Sequence, residues 1–477
     1  MNKYKIVFFA LIMVCFFYEG FGQKKKQKTP IISPEELKAS KEYFSIEEAL
    51  LNKKKAYILN LENQKLNTLP DEIEKLQNLQ VLKLGYNQIE KIPGSVFKLQ
   101  NLQKLYLNNN KLSVIPVEIG NLISLKELKL GENKITSIPD EIGNLISLEI
   151  LQCNENQITT IPNTIGNCKT LEVIDFFNNR LGSLPSSIGK CLNTRILDLN
   201  WNQLGGLPDE VCNLNKLESL RIEKNNIQHL PKEIGNLTKL NELKITENQL
   251  IDLPESFGKL IGLKEIYLTK NQLIGVPVSI GNLSNVKVLD ISQNQLATIP
   301  ESIKNMQKLE EIYLNNNKLT ELKGETFNIP ALRILILSLN KISRFNCTID
   351  KCKHIDSIDF EMNKLKLFPE CVTNVTNLLY LNLNKNQLTN IPKSILKLEN
   401  IRQLLFRENQ LITIPLNLYQ LNTLEVLDLS HNKFQKIPLN FNQSKSLKHL
   451  DVRENPMSKA LIKQIKEKNS IQELLID

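Results

Sequence analysis

The segment Leu102–Leu112 reads LQKLYLNNNKL, and its spacing of leucines around an asparagine decides the fold. The frame L-x-x-L-x-L-x-x-N-x-L returns every 23 residues through eighteen units, without a single insertion. Gln64 holds the first anchor position, and asparagine holds the others: Asn87, Asn110, Asn133, Asn156, Asn179, Asn202, Asn225, Asn248, Asn271, Asn294, Asn317, Asn340, Asn363, Asn386, Asn409, Asn432 and Asn455. A chain of 477 residues would ordinarily predict about three domains. The unbroken period instead predicts one array of stacked units.

Each unit carries the pattern of a short strand. Leu105 and Leu107 alternate with Lys104, Tyr106 and Asn108, so the strand has one apolar and one polar face. One unit cannot bury its leucines alone, but stacked units share a continuous core. The anchor amide carries donors and an acceptor for main-chain groups that would be costly to bury unpaired. We therefore expect a structural ladder of asparagines along the array.

Proline stands six residues after the anchor in most units: Pro70, Pro93, Pro116, Pro139, Pro162, Pro185, Pro208, Pro231, Pro254, Pro277, Pro300, Pro369, Pro392, Pro415 and Pro438. Because proline cannot donate to a sheet ladder, this side is expected to be irregular and convex. Lys323 and Asn346 replace the proline in two interior units. Either a local bend or loosening of the arc, or neutral sequence drift, fits this departure.

These residues resemble the leucine-rich repeat family, in the form whose units read L-x-x-L-P-x-x-I-G-x-L-x-x-L after the asparagine. The resemblance extends from about Ser45 to Asp477. It implies an α/β-type solenoid, a curved arc with a parallel concave sheet, an irregular convex side, short capping helices and partner binding on the concave face. The overall layout is similar to that of secreted bacterial leucine-rich-repeat proteins.

The two ends of the chain predict an exported protein with covered termini. Two lysines precede an uncharged apolar run, residues 6–18, and small residues at 20 and 22 precede Gln23, as in a signal peptide. An uncleaved anchor is the alternative. We expect a signal peptide at 1–22, a basic tether and linker at 23–44, an N-terminal capping helix at 45–55, the repeats at 56–457 and a C-terminal cap at 458–477. The mature chain is then secreted, or held at the cell surface or in the periplasm, without an integral membrane segment.

Charge on the presumed concave face differs in sign from charge on the whole chain, which is +9. Residues six, four and two places before each anchor should point into the concavity. Their basic members are Lys83, Lys104, Lys129, Arg221, Lys244, Arg407 and Arg453, against the acids Glu62, Glu127, Asp175, Asp198, Glu223, Glu242, Glu265, Asp290, Glu311, Asp359, Glu361, Asp428 and Asp451. This net −6 opposes nucleic-acid binding, which needs a basic surface, and favours a basic partner.

Aromatic residues recur along the same face, and such residues supply much of the binding energy at protein interfaces. The candidate partner-binding residues are Tyr106, Asp175, Phe177, Asp198, Trp201, Tyr267, Asp290 and Tyr313. Phe177 and Trp201 fall in adjacent units, and simple packing across neighbouring strands explains them equally well.

Neither catalysis nor metal binding is predicted. The chain has no phosphate loop, no H-E-x-x-H and no G-x-S-x-G. Four residues of types that can ligate zinc lie in the irregular stretch between Cys347 and Cys371: Cys347, Cys352, His354 and Cys371. Cys352, however, should face the core. We expect no cofactor, no metal and no enzyme activity.

The leading hypothesis is a secreted, monomeric module that binds a protein or peptide through its acidic and aromatic concave face. An intracellular scaffold, similar to the Ras-associated class with 23-residue units, is one alternative. A carbohydrate- or envelope-binding structural protein is the other.

Overall fold

The computed structural model describes residues 31–438, 441, 443–468 and 471–477. The predicted signal peptide at 1–22 and the lysines of 24–28 lie outside the described residues. The strands of the described residues, numbered in chain order, are β1 (Glu42–Tyr43), β2 (Ile58–Asn60), β3 (Val81–Lys83), β4 (Lys104–Tyr106), β5 (Glu127–Lys129), β6 (Ile150–Gln152), β7 (Val173–Asp175), β8 (Ile196–Asp198), β9 (Ser219–Arg221), β10 (Glu242–Lys244), β11 (Glu265–Tyr267), β12 (Val288–Asp290), β13 (Glu311–Tyr313), β14 (Glu321–Gly324), β15 (Ile334–Ile336), β16 (Arg344–Cys347), β17 (Ser357–Asp359), β18 (Tyr380–Asn382), β19 (Gln403–Leu405), β20 (Val426–Asp428), β21 (His449–Asp451) and β22 (Glu473–Leu475).

All strands except β14 and β16 form one parallel sheet on the concave side of the arc, as the repeat predicted. Each strand pairs with the strand of the unit before it and the unit after it. Leu105 lies opposite Leu128, and Leu128 lies opposite Leu151. From β2 to β21, the middle residue of each strand in this sheet is buried, while its neighbours face outward. The apolar alternation of the sequence therefore sets the register.

The opposite side of each regular unit is a short 3-10 helix. Within the described residues these are Asp71–Lys75, Val96–Lys98, Val117–Asn121, Asp140–Asn144, Asn163–Asn167, Ser186–Lys190, Asp209–Asn213, Ile234–Asn236, Glu255–Lys259, Val278–Asn282, Glu301–Asn305, Glu370–Asn374, Lys393–Lys397 and Leu418–Gln420. Pro116, for example, directly precedes one of them with φ −65° and ψ 149°. The fixed φ of proline turns the chain into the helix at a place where its missing N–H costs nothing.

The anchor asparagines tie each unit to its neighbours. The Asn248 amide donates to the carbonyls of Ile222 at 2.8 Å, Ile245 at 3.1 Å and Thr246 at 3.3 Å. Its Oδ1 accepts from the Ile227 amide at 3.1 Å. The same contacts recur in units from Asn87 to Asn455. The side chain thus satisfies main-chain groups of two consecutive units in an otherwise apolar interior.

A left-handed residue stands directly before every anchor. In the described part of the chain these eighteen residues have φ between 51° and 58°, and none of them is glycine or β-branched. A left-handed conformation costs a residue with a side chain about 1 kcal/mol or more. The asparagine contacts and the strand on either side hold it in place. The side chain at this position lies at the rim of the sheet.

The two units without the frame proline pair their main chains on the convex side. Strand β14 runs parallel to β16, with Lys323 opposite Asn346 and Gly324 opposite Cys347. The Thr348 amide donates to the Gly324 carbonyl at 2.8 Å. Pro300 and Pro369 hold the equivalent positions in the units on either side, so the ladder cannot extend beyond this pair. Loss of proline has added pairing here.

The N-terminal cap begins earlier than the sequence suggested. Helix α1 spans Pro34–Ala39 inside the segment expected to be linker, and Ser33 and Glu36 cap it with reciprocal hydrogen bonds. Strand β1 then pairs with β2, and Tyr43 is buried. These elements form because the open end of the apolar core needs a cover.

Two further helices complete the ends. Helix α2 spans Ile46–Leu51, which is shorter than the expected 45–55, and the Ser45 hydroxyl accepts from the Glu48 amide at 3.1 Å. Helix α3 spans Lys459–Lys468 and buries Ile465. Strand β22 then extends the sheet by pairing with β21.

Candidate functional site

The concave face presents three columns of side chains, six, four and two residues before each anchor. In β5, Glu127 and Lys129 are half-buried on this face while Leu128 between them is fully buried. The columns follow the arc at about 4.8 Å per unit, the spacing of paired strands. A partner lying along the face therefore meets side chains from many units.

One column carries a structural role that the sequence reasoning missed. Four residues before the anchor, the Oδ1 of an aspartate accepts from the main-chain amide two residues later, at 2.7–3.1 Å. The aspartates are Asp175, Asp198, Asp290, Asp359, Asp428 and Asp451. Asn60 and Asn382 make the same contact at 3.0 Å. The repeated Asp or Asn in one column was the available signal, because these residues close such turns.

Tyr106 lies in a self-contained cluster on the N-terminal part of the face. Its hydroxyl donates to Glu127 at 2.5 Å, and Lys129 lies over its ring at 4.9 Å. Lys104 completes the cluster through an ion pair of 2.5 Å with the same Glu127. Burial and the hydrogen bond to Glu127 raise the pKa of Tyr106. Its polar groups are thus engaged within the protein.

Asp198 is similarly engaged. It is buried and forms an ion pair of 3.3 Å with Arg221, which also contacts Glu242 at 3.0 Å. Lys244 reaches the same Glu242 at 3.6 Å. The two acids Asp198 and Glu242 are therefore balanced by two cations over β8–β10.

Phe177 and Trp201 contact each other across adjacent units. Their ring centroids are 6.3 Å apart with an interplanar angle of 60°, an edge-to-face arrangement. Lys224 of the next unit lies 3.5 Å from the centre of the Trp201 ring. Trp201 nevertheless remains 47% exposed. Phe177, Trp201 and Lys224 form a ledge at the rim of the sheet, and we name it the aromatic ledge.

Three carboxylates without an ion pair among the described residues lie close together over β11–β13. Glu265, Asp290 and Glu311 surround two tyrosines, whose hydroxyls donate to Glu265 at 3.2 Å (Tyr267) and to Glu311 at 2.7 Å (Tyr313). None of the three carboxylates forms an ion pair within the described part of the chain. Burial and the neighbouring carboxylates raise the pKa of Tyr313 to about 12. We name these five residues the acidic tyrosine patch.

The folded protein disfavours the ionised form of Asp175. Burial, together with the nearby Asp198, raises its pKa. An acid whose pKa is raised by folding destabilises the folded state once it ionises, and this penalty is absent below the unfolded pKa of about 3.9. Asparagine would keep the acceptor for the Phe177 amide, as Asn60 does for the Glu62 amide in its own unit.

We therefore expect Asp175→Asn to melt at a higher temperature than the wild type at neutral pH and at the same temperature in acid. Thermal unfolding followed by circular dichroism at both pH values measures this. Asp451→Asn is the matched control in the same column. Despite its burial, Arg453 lowers the pKa of Asp451, so this variant should lose stability at neutral pH. Equal shifts in the two variants would contradict the assignment.

No cluster of His, Cys, Asp or Glu in the described residues has the arrangement of a metal site. Cys352 is buried and donates its thiol to the Phe327 carbonyl at 2.9 Å, so it faces the core. The described helices include none with the length and apolar character needed to cross a membrane.

A parallel sheet in 23-residue register, an asparagine ladder and an open concave face define a leucine-rich-repeat solenoid. The chain belongs to the leucine-rich repeat family. Models described as "Leucine-rich repeat region" match residues 56–137 and 167–271, those described as "Leucine rich repeat" match 123–181, 261–319 and 307–365, and a "Leucine Rich Repeat" model matches 423–444. A comparison with curated protein sequences finds no match.

Solved structures of the same fold come from bacteria and plants. A leucine-rich-repeat protein of Leptospira interrogans is 30% identical, with a TM-score of 0.57, over 92% of this chain and 100% of that one. The ectodomain of the Arabidopsis thaliana receptor kinase GASSHO1/SCHENGEN3, in complex with CASPARIAN STRIP INTEGRITY FACTOR 2, is 26% identical, with a TM-score of 0.61, over 88% of this chain and 58% of that one. The Arabidopsis receptor kinase HAESA, in complex with the peptide hormone IDA and the co-receptor SERK1, is 28% identical, with a TM-score of 0.53, over 86% and 80%.

Proposed function

We propose that this protein is an exported, monomeric binding module that recognises a basic protein or peptide segment along its concave face. The acidic tyrosine patch receives the basic side chains, and the aromatic ledge supplies an apolar contact further along the same face. Export rests on the predicted signal peptide at residues 1–22. The function is recognition by surface complementarity, without chemistry on the partner.

One observation carries this proposal: Glu265, Asp290 and Glu311 lie around two tyrosines without an ion pair among the described residues. Elsewhere on the face the acids Glu127, Asp198, Glu242, Glu361 and Asp451 are each matched by a cation, and the remaining acids without an ion pair among the described residues do not surround a pair of tyrosines. Carboxylates left unmatched beside Tyr267, which is 38% exposed, favour a cationic partner by charge complementarity. Tyrosine and carboxylate together bind arginine through its face and its edge.

The mode of binding draws support from the solved structures described above. The HAESA structure contains a bound peptide hormone, and its fold is shared by this chain. A peptide that runs across the units is therefore a partner of the size and shape that this architecture accepts.

Selection from a displayed random peptide library tests the proposal. We expect enrichment of peptides with arginine or lysine, and we expect Asp290→Asn combined with Glu311→Gln to weaken their binding about tenfold, because two charge-assisted contacts are lost. Glu118→Gln combined with Asp140→Asn makes the same change of charge on exposed convex residues and serves as the control. Isothermal titration at two salt concentrations measures both. Selected peptides without basic residues, or equal weakening in the control, would refute the proposal, and binding in a parallel glycan array would favour the carbohydrate alternative.

The aromatic ledge is tested in the same assay with Phe177→Ala combined with Trp201→Ala. We expect the affinity for the selected peptides to fall about tenfold, because exposed aromatic residues contribute a large share of interface energy. The thermal transition should persist, since Trp201 lies at the rim and is half-exposed. Fluorescence of the wild type adds an independent signal, because Trp201 is the only tryptophan of the chain. An unchanged affinity would place the contact elsewhere on the arc.

A further inference from the structure

Two free cysteines from consecutive units line one groove on the convex side, away from the proposed binding face. Cys347 is the last residue of β16, and Cys371 lies in the 3-10 helix Glu370–Asn374 of the next unit. Both line a groove of about 500 Å³, together with Phe345 and Asp350. Cys347 is buried and Cys371 is half-buried. The groove gives Cys371 a path to solvent.

The repeat shows how close these two positions are. In regular units, a residue eight places after the anchor contacts the residue seven places after the preceding anchor. The Ser279 hydroxyl donates to the Glu255 carbonyl at 2.7 Å, and the Ser302 hydroxyl to the Val278 carbonyl at 2.6 Å. Cys371 and Cys347 occupy these same two positions.

Side chains meet at these positions as well. One unit further along, the Ser394 hydroxyl contacts the Glu370 carboxylate at 2.5 Å, with the same separation of 24 residues. Paired strands such as β14 and β16 lie about 4.8 Å apart, and disulfides join Cα atoms that are roughly 4.4–6.8 Å apart. The geometry of the array is thus compatible with a bond between Cys347 and Cys371.

A second pair of neighbouring cysteines provides the contrast. Cys168 and Cys191 hold one equivalent position in adjacent units, and both are fully buried. Their thiols donate to carbonyls of the preceding unit, Cys168 to Ile142 at 3.3 Å and Cys191 to Ile165 at 3.4 Å. The two thiols therefore point in parallel, each toward the unit before its own. This pair should stay reduced in the folded protein.

We propose that Cys347 and Cys371 are a redox pair that closes to a disulfide between two consecutive units. Each thiol loses its hydrogen, and a sulfur–sulfur bond forms. The two electrons and two protons reduce a second disulfide, either glutathione disulfide or the disulfide of an exchange protein, to two thiols.

The bond has a structural purpose at this point of the arc. The main-chain pairing of β14 with β16 does not continue into the next unit, because Pro369 there has no amide hydrogen to donate. A disulfide from Cys347 to Cys371 continues the connection by a covalent bond where the hydrogen bonds end. It also constrains the unfolded chain, which stabilises the folded state.

Exchange with a small disulfide starts at Cys371. Burial, with a contribution from Asp350, raises the pKa of its thiol to about 11. The thiol is therefore almost fully protonated at neutral pH, and uncatalysed oxidation is slow. A mildly alkaline buffer is the appropriate condition for the test.

The test incubates the purified, folded protein with glutathione disulfide, unfolds it, alkylates the remaining thiols and maps the peptides by mass spectrometry. We expect two fewer alkylated cysteines than in the reduced protein, a linked peptide that contains Cys347 and Cys371, and a higher melting temperature of the oxidised form. Cys347→Ser and Cys371→Ser should each abolish the linked peptide, while circular dichroism confirms that both variants are folded.

Cys168 and Cys191 are the internal control, and both should be recovered as alkylated thiols. Full alkylation of Cys347 and Cys371 in the folded wild type after oxidation would overturn the proposal. A link between Cys168 and Cys191 instead of this one would overturn it as well. A disulfide that forms without raising the melting temperature would overturn the proposed structural purpose.

Discussion

Replacing Asn248 with leucine is expected to lower the free energy of unfolding by about 1–3 kcal/mol, although leucine is the more apolar residue. The side chain is 8% exposed. Its amide nitrogen donates to the carbonyls of Ile222 and Ile245, and its Oδ1 accepts from the main-chain amide of Ile227. Leucine would leave the Ile227 amide buried without its partner, which costs about 1–3 kcal/mol, while Asn225 still donates to the Ile222 carbonyl and Asn271 to the Ile245 carbonyl. The shift of the urea midpoint measures the effect.

Gln249→Leu is the matched control for this change. The side chain of the neighbouring Gln249 donates to the Asn226 side chain at 3.2 Å in an exposed hydrogen bond, so the same loss of an amide should cost less than about 0.5 kcal/mol. Because long arrays can unfold in parts, hydrogen exchange in the units around Asn248 shows which units lose stability. Equal midpoints for the two variants would show that the ladder does not carry this energy.

Gly235→Ala is expected to cost about 2–3 kcal/mol, because the units stack too closely there for any side chain. A Cβ at this position would lie 2.0 Å from the carbonyl oxygen of Ser256 in the next unit. Main chain of the next unit must move to relieve such overlap, and overpacking of this kind costs about 1–3 kcal/mol. Urea denaturation of the variant and the wild type measures the difference.

Gly275→Ala controls for the glycine itself. Nothing lies within 4 Å of a Cβ placed there, and Gly275 is absent from the glycines with positive φ. This change should be neutral or slightly stabilising, since alanine restricts the unfolded chain. If both variants lose the same stability, close stacking is not the reason for Gly235.

The period was sufficient to predict the sheet, its register and the side on which the asparagines lie, because each of these is set within one unit and copied. The convex pairing of β14 and β16 was not predicted. Because Lys323 and Asn346 stand where other units have proline, the main chain there is free to pair. Whether the two segments then lie close enough to pair depends on the path of the backbone in both units. The helix Pro34–Ala39 was missed although Ser33 and Glu36 have the spacing of a capping box.

The candidate site was predictable in composition and only partly in arrangement. Counting acids by column revealed a surplus, but it assigned that surplus to the whole face. Long cations reach across units, as Arg221 does to Asp198, so pairing cannot be read from a column. Asp290 also closes its own turn, and only its second carboxylate oxygen is left for a partner.

The left-handed residues before the anchors have a consequence for engineering this scaffold. They form a row of eighteen rim positions in the described chain, and they already carry side chains as different as Trp201, Lys224 and Met362. Randomising this row would vary a recognition surface without touching a core residue. A library there should exclude valine, isoleucine and threonine, because a branched Cβ tolerates this conformation badly. The backbone conformation therefore limits which amino acids can be used at these positions, whatever the ligand.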